Sequence, residues 1–80
     1  MQPMGIFKTN DLYLSAALKV HGFKLLKIEK DVRGRGAFLF QDRPDRPDLV
    51  TKYFSGELTG SLKDFSNAWS DLKTLLNQTY

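Results

Sequence analysis

None of the 80 residues is cysteine. A chain this short folds as one domain, and this one must do so without a disulfide or a thiolate-held metal to fasten it. Its core has to be built from apolar side chains. Aromatic residues make up 12% of the sequence, and each buried ring removes a large area from water, so a small core can still be dense. Hydrophobic residues at 41% and charged residues at 26% place the chain among globular rather than disordered sequences.

Periodicity and stop signals divide the chain. Residues 1–5, with Pro3 and Gly5, read as a flexible N-terminal tail, and residues 6–80 as one domain. Ile6-Phe7-Lys8-Thr9 is β-branched and aromatic, which suits an edge strand. Asn10 or Asp11 caps a helix over residues 12–21, whose stripe is Leu14, Ala17, Leu18 and His21, and Gly22 stops it. Residues 23–30 have no helical period and read as a strand, with Leu26 and Ile28 on one face and Phe23 and Leu25 on the other. A turn containing Gly34 and Gly36 leads to a second strand, 37–41, with Phe38 and Phe40 on one face. Pro47 and Asp48 start a short helix carrying Leu49, Val50, Tyr53 and Phe54, and Gly56 ends it. Ser61 to Asp64 resembles a capping box, and Leu62, Phe65, Trp69, Leu72 and Leu76 then form one stripe over residues 61–77.

The expected fold is therefore α+β: a small antiparallel β-hairpin, or three strands if 6–9 joins, packed against three helices in the order (β)αββαα. Phe38, Phe40, Phe54, Phe65, Trp69 and Leu72 should supply the core.

Charge is unevenly spread. Residues 19–46 hold eight basic and four acidic side chains, net +4, whereas residues 1–18 are neutral and residues 47–80 carry net −1. The candidate nucleic-acid-binding residues are Lys24, Lys27, Lys30, Arg33, Arg35, Arg43 and Arg46, with the hairpin turn as their centre. A local excess of this kind attracts phosphate backbones, and it also serves simply to keep a sheet soluble and its edges blunt. With Phe38 and Phe40 in the core, neither is free to stack on single-stranded bases, so that mode of binding draws little support.

Most catalytic chemistry lacks its parts. One histidine and no cysteine leave only carboxylates as further metal ligands. Asp42, Asp45 and Asp48 are spaced three apart, but Arg43 and Arg46 lie among them and compete as counter-ions. The serines have only His21 as a potential base, and no nucleophile elbow is present. Arg33-Gly34-Arg35-Gly36 leads into a strand and so offers a phosphate no helix N-terminus. A domain of this size has little room for a pocket as well as a core. The expectation is a protein with no catalytic residues, metal, cofactor or small-molecule substrate. No apolar run reaches the ~20 residues of a membrane helix, and no signal peptide is visible, so the expected location is the cytoplasm.

Three segments carry a family resemblance. Phe7-Lys8-Thr9-Asn10-Asp11-Leu12-Tyr13-Leu14, then Gly22-Phe23-Lys24-Leu25, then Tyr53-Phe54-Ser55-Gly56-Glu57 are similar to the F-K-T-x-D-(L/F)-Y-L start, G-(F/Y)-K-L strand entry and (Y/F)-(W/F)-x-G-E segment of a family of short bacterial proteins. That family is known only as a domain of unknown function. The resemblance spans about residues 7–76 and implies a domain that stands alone rather than a fragment of an enzyme. It assigns no site residue, and the richly basic turn departs from it.

Two functions fit these features. One is weak, sequence-indifferent nucleic-acid binding through the basic hairpin. The other is a protein-interaction or homodimerising module, joined through helix 61–77 or a strand edge, with the basic residues serving solubility. An exposed Trp69 or Tyr53 would favour the second.

Overall fold

The computed structural model of the protein describes residues 5–30 and 32–78. The expected tail lies outside these residues except for Gly5, as do the last two residues of the expected domain. The elements are β1 (Ile6–Thr9), α1 (Leu12–Val20), β2 (Leu25–Lys30), β3 (Gly36–Gln41), α2 (Arg46–Ser55) and α3 (Leu62–Asn77). The fold is α+β in the order βαββαα, and residues 6–9 do form the third strand.

The sheet is antiparallel in the order β1-β3-β2. Its central strand, β3, is the most apolar of the three and is buried from Ala37 to Phe40. Phe38 and Phe40 face the helices and are 1% and 0% exposed. They meet Leu14, Leu18, Phe23, Ala68 and Leu72 in one cluster, with Phe7, Leu25 and Ile28 packed against it.

The alternation read for β2 is corrected by a β-bulge. Leu25 pairs with Phe40, Lys27 with Leu39 and Ile28 with Phe38, so Leu26 is the extra residue. One inserted residue resets the two-residue period. Leu25 and Ile28 therefore share the core face, while Leu26 is 43% exposed. The bulge also brings Lys24 and Lys27 to the same side, away from the helices, and leaves Lys30 on the helix side.

Local chemistry sets the helix ends. The Asp11 carboxylate accepts from the Leu14 N–H at 3.1 Å, and the Thr9 hydroxyl accepts from the Asp11 N–H at 3.1 Å. Ser61 caps α3 by accepting from the Asp64 N–H at 3.2 Å. Gly22, at φ +86°, turns the chain out of α1 through a conformation that disfavours residues with a Cβ. Asp45 precedes α2 without capping it through its side chain, because Arg43 occupies that carboxylate.

α1 packs against α3 and also touches α2 and β1. It is buried more widely than its expected stripe: Ser15 and Ala16 are 0% exposed. Small side chains allow this close packing, and the Ser15 hydroxyl is satisfied by donating to the Asp11 carbonyl at 2.8 Å. Leu72 is fully buried, whereas Phe65 and Trp69 are half-buried. Phe54, expected in the core, is 68% exposed, and Leu62, the first residue of the α3 stripe, is 85% exposed. Phe54 is the penultimate residue of α2 and Leu62 the first of α3. At the other end of α3, Leu76 lies against Gly36, where any Cβ would collide with its Cδ1.

A candidate interaction surface with an apolar groove

The seven basic residues expected to form one surface are divided between two ends of the hairpin. Arg33 and Arg35 sit exposed on the turn joining β2 and β3, next to Lys30. Arg43 and Arg46 follow the far end of β3, about 20 Å along a six-residue strand from the turn. Lys24 and Lys27 lie between, on the sheet face turned away from the described helices.

Arg43 and Arg46 are committed to the fold. Arg43 donates through Nε and Nη2 to the two Asp45 carboxylate oxygens at 2.9 and 2.6 Å, and through Nη1 to the His21 carbonyl at 3.0 Å. Its guanidinium lies 4.1 Å from the centre of the Phe23 ring. Arg46 holds both oxygens of Asp42 at 3.0 and 3.2 Å and stacks 4.4 Å from the Phe7 ring. The hydrogen bonds from Arg46 hold Asp42 below the usual carboxylate range, and those from Arg43 do the same for Asp45. The same pairing raises Arg43. Asp42 and Asp45 are thus paired with the arginines among them, as the sequence suggests, and neither side chain caps α2; among the described residues no group of three His, Cys, Asp or Glu side chains is placed to hold a metal ion.

The open sheet face brings in a residue the sequence reading left out. Lys8 on β1 and Lys27 on β2 both flank Leu39 of the central strand. Glu29, two residues along β2 from Lys27, lies 3.2 Å from that lysine and reaches across β3 to within 3.4 Å of Lys8. The hydrogen bond from Lys27, followed by that from Lys8, lowers the Glu29 pKa. The aliphatic stems of these side chains help shield Leu39 and Ala37, which are only 7% and 6% exposed although they face away from the helices. Lys8 and Glu29 are 21 residues apart in the chain and meet only because β1 and β2 flank the same strand. Nothing local in the sequence signals that meeting.

On the helical side the structure has a groove of about 280 Å³ between α2 and α3, with α1 as its floor. Ala17, Val20, Tyr53, Leu58, Leu62 and Phe65 supply its apolar lining. The loop after α2 closes one end. It is held by the Glu57 and Leu58 N–H groups, which donate to the Lys52 carbonyl at 2.9 and 3.1 Å. His21 Nε2 lies 2.9 Å from the Thr59 carbonyl and joins that loop to the end of α1, the Nε2–H tautomer donating. Burial raises the Tyr53 hydroxyl, with Asp11 and Tyr13 adding to the shift.

Aromatic side chains continue along this face. Tyr13 stacks on Trp69 with ring centres 6.3 Å apart, and Lys73 lies 4.8 Å from the Trp69 ring. Phe54 meets Tyr53 edge-on at 5.1 Å. Trp69 and Tyr53 are half-buried, so neither is the exposed anchor considered from sequence. Phe54, Leu62 and Tyr13 are the exposed ones, the last at 56%. Periodicity could not separate them from core residues, since it reports which side of a helix is apolar and not how far a neighbour extends over it.

Among the described residues no helix is long and apolar enough to cross a membrane. Neither a curated protein nor a solved structure matches the chain. A family model does match, over residues 4–78, and by that match the chain belongs to the family described as a domain of unknown function, DUF5659.

Proposed function

We propose that the domain is a non-enzymatic protein-interaction module, and that its contact surface is the aromatic groove between α2 and α3. One observation carries the reading: Leu62 is exposed on the wall of a groove lined by Tyr53 and Phe65, and beside it Phe54 is exposed against Tyr53 and Tyr13 against Trp69, one turn along α3 from Phe65. Apolar side chains scattered singly over a surface need no explanation, but a contiguous set beside a concave site marks an interaction surface. A photo-crosslinking benzoylphenylalanine in place of Phe54, expressed in the protein's own cells, tests it. Ultraviolet light should produce a covalent protein adduct from position 54 and none from the same residue at Lys24. Absence of an adduct from position 54 would count against the groove.

The second reading, weak nucleic-acid binding, draws support from the placement of Lys8, Lys24 and Lys27 on one open face beside the turn that carries Arg33 and Arg35. Glu29 offsets part of that field. If three or four phosphates are contacted, log K should fall with log salt at a slope of roughly −3 to −4. Replacing Arg33 and Arg35 by Ala should reduce that slope by about two. No binding to DNA or RNA at low salt removes this reading.

A further inference from the structure

We infer that the occupant of the groove is a second copy of this chain, docked about a two-fold axis so that Leu62 of each copy enters the groove of the other. The inference rests on the interaction reading above and names its partner.

Three observations converge. First, the protruding side chain and the hollow belong to the same face. Leu62 is 85% exposed at the start of α3 and also forms one wall of the groove. A two-fold contact presents the same patch from both sides, so it needs a surface that complements itself. A knob beside a hole of side-chain size meets that need.

Second, the area fits. Tyr13, Phe54 and Leu62 are 56%, 68% and 85% exposed. With roughly 150–250 Å² per aromatic side chain and somewhat less for leucine, they leave on the order of 400 Å² of apolar surface per copy. A standard interface buries about 800 Å² on each partner, somewhat more than half of it apolar. The exposed area is close to the apolar share such a dimer requires.

Third, the rim does not oppose itself electrically. Lys63 and Asp64 follow Leu62 with opposite signs, and across α2 Lys52 is paired with Asp48 at 3.2 Å. Apposition of two copies can set Lys63 against Asp64 rather than like against like. The strand edges offer a poorer seam: β2 is bulged at Leu26, Lys27 follows the bulge and β1 carries Lys8. Bulges and lysines are the features that discourage pairing between edges.

Sedimentation equilibrium on the purified full chain, from micromolar to millimolar concentration, tests the inference. The wild type should pass from 9.2 kDa to twice that mass. Leu62→Asp should raise the dissociation constant about 30-fold or more and leave the thermal melt of the monomer unchanged, since the side chain is exposed. Val32→Asp, at a fully exposed position on the hairpin turn, should leave the dimer intact. A monomer at millimolar concentration overturns the inference, and so does a dimer indifferent to Leu62→Asp. The mass of the photo-adduct from position 54 separates the two claims. An adduct at twice the chain mass supports both, an adduct of another mass ends the second-copy inference alone, and no adduct ends both.

Discussion

Arg43 lies over the ring of Phe23, its guanidinium 4.1 Å from the ring centre, while its donors grip Asp45 and the carbonyl of His21. One side chain thus ties the end of α1 to the entry of α2 and covers the ring that opens the following strand. The His21 carbonyl stands at the end of α1, where helix carbonyls lack intrahelical partners.

Because this contact uses a planar fork and a ring face together, lysine cannot replace the arginine at Arg43. It keeps the charge but loses the paired donors and the stack. Arg43→Lys should lower the melting temperature more than Lys52→Ala, which removes only an exposed pair to Asp48. Differential scanning calorimetry on the two variants decides the point, and equal melting temperatures would contradict it.

Burial rather than apolar character ranks the helical side chains. Leu72 is 0% exposed, so Leu72→Ala should cost about 3–4 kcal/mol through lost transfer energy and the cavity left behind. Phe54→Ala should stay within about 0.5 kcal/mol in the monomer, as surface substitutions usually do. Urea denaturation midpoints give both values, and comparable losses at the two positions would show that the core has been misplaced.

The bulge makes a deletion informative. Removing Leu26 leaves Leu25 opposite Phe40 and Lys27 opposite Leu39 in one unbroken ladder. The variant should still fold with a cooperative melt. Removing Leu39 shifts Phe38 and Phe40 onto opposite faces and should abolish folding. Circular dichroism melts of both deletions check this, and the expectation fails if the Leu26 deletion is unfolded while the Leu39 deletion is not.

Acid should weaken the fold through three carboxylates. Glu29, Asp42 and Asp45 all titrate below their ordinary values of 4.5 for Glu and 3.8 for Asp, held there by Lys27, Arg46 and Arg43 respectively. A carboxylate with a lowered folded-state pKa contributes stability that is present above its unfolded value and lost as pH falls through the folded one. Stability should therefore decline as pH falls below these ordinary values, and Asp42→Asn should make the decline shallower. Denaturant midpoints measured across the acid range test it, and an Asp42→Asn curve parallel to wild type would deny Asp42 its part.

What could be read from the sequence was whatever neighbours in the chain decide. The Asp11 and Ser61 caps, the Gly22 and Gly56 stops and the Phe38/Phe40 face depend on residues within a few positions of one another. Leu26 was misassigned because a bulge is a property of two strands, and strict alternation is the only rule one strand shows. Phe54 was misplaced for a related reason: periodicity shows which side of a helix is apolar, and the burial of a residue near the helix end depends on what packs there. At the candidate sites the turn arginines and the pairing of Arg43 and Arg46 with neighbouring aspartates were legible, whereas the Lys8–Glu29 contact and the seating of Arg43 on Phe23 and Arg46 on Phe7 needed the tertiary fold. The groove was missed because it is made by the spacing of three helices.

The order of the strands also dictates a sequence of events in time. Each residue of β1 pairs with a β3 residue roughly 30 positions later, from Thr9 with Phe38 to Ile6 with Gln41. The β2–β3 ribbon closes over a short turn and forms early, whereas β1 must close a long loop before any contact rewards it. On the ribosome, at about 5–20 residues per second, the first strand therefore emerges seconds before its β3 partner exists. Until then Phe7 has no ring-covering arginine and no sheet, and the Asp11-capped helix beside it must persist or re-form alone. The first strand made is the last to pair, and a chain stalled before Gln41 would display that hydrophobic segment to the cell's chaperones.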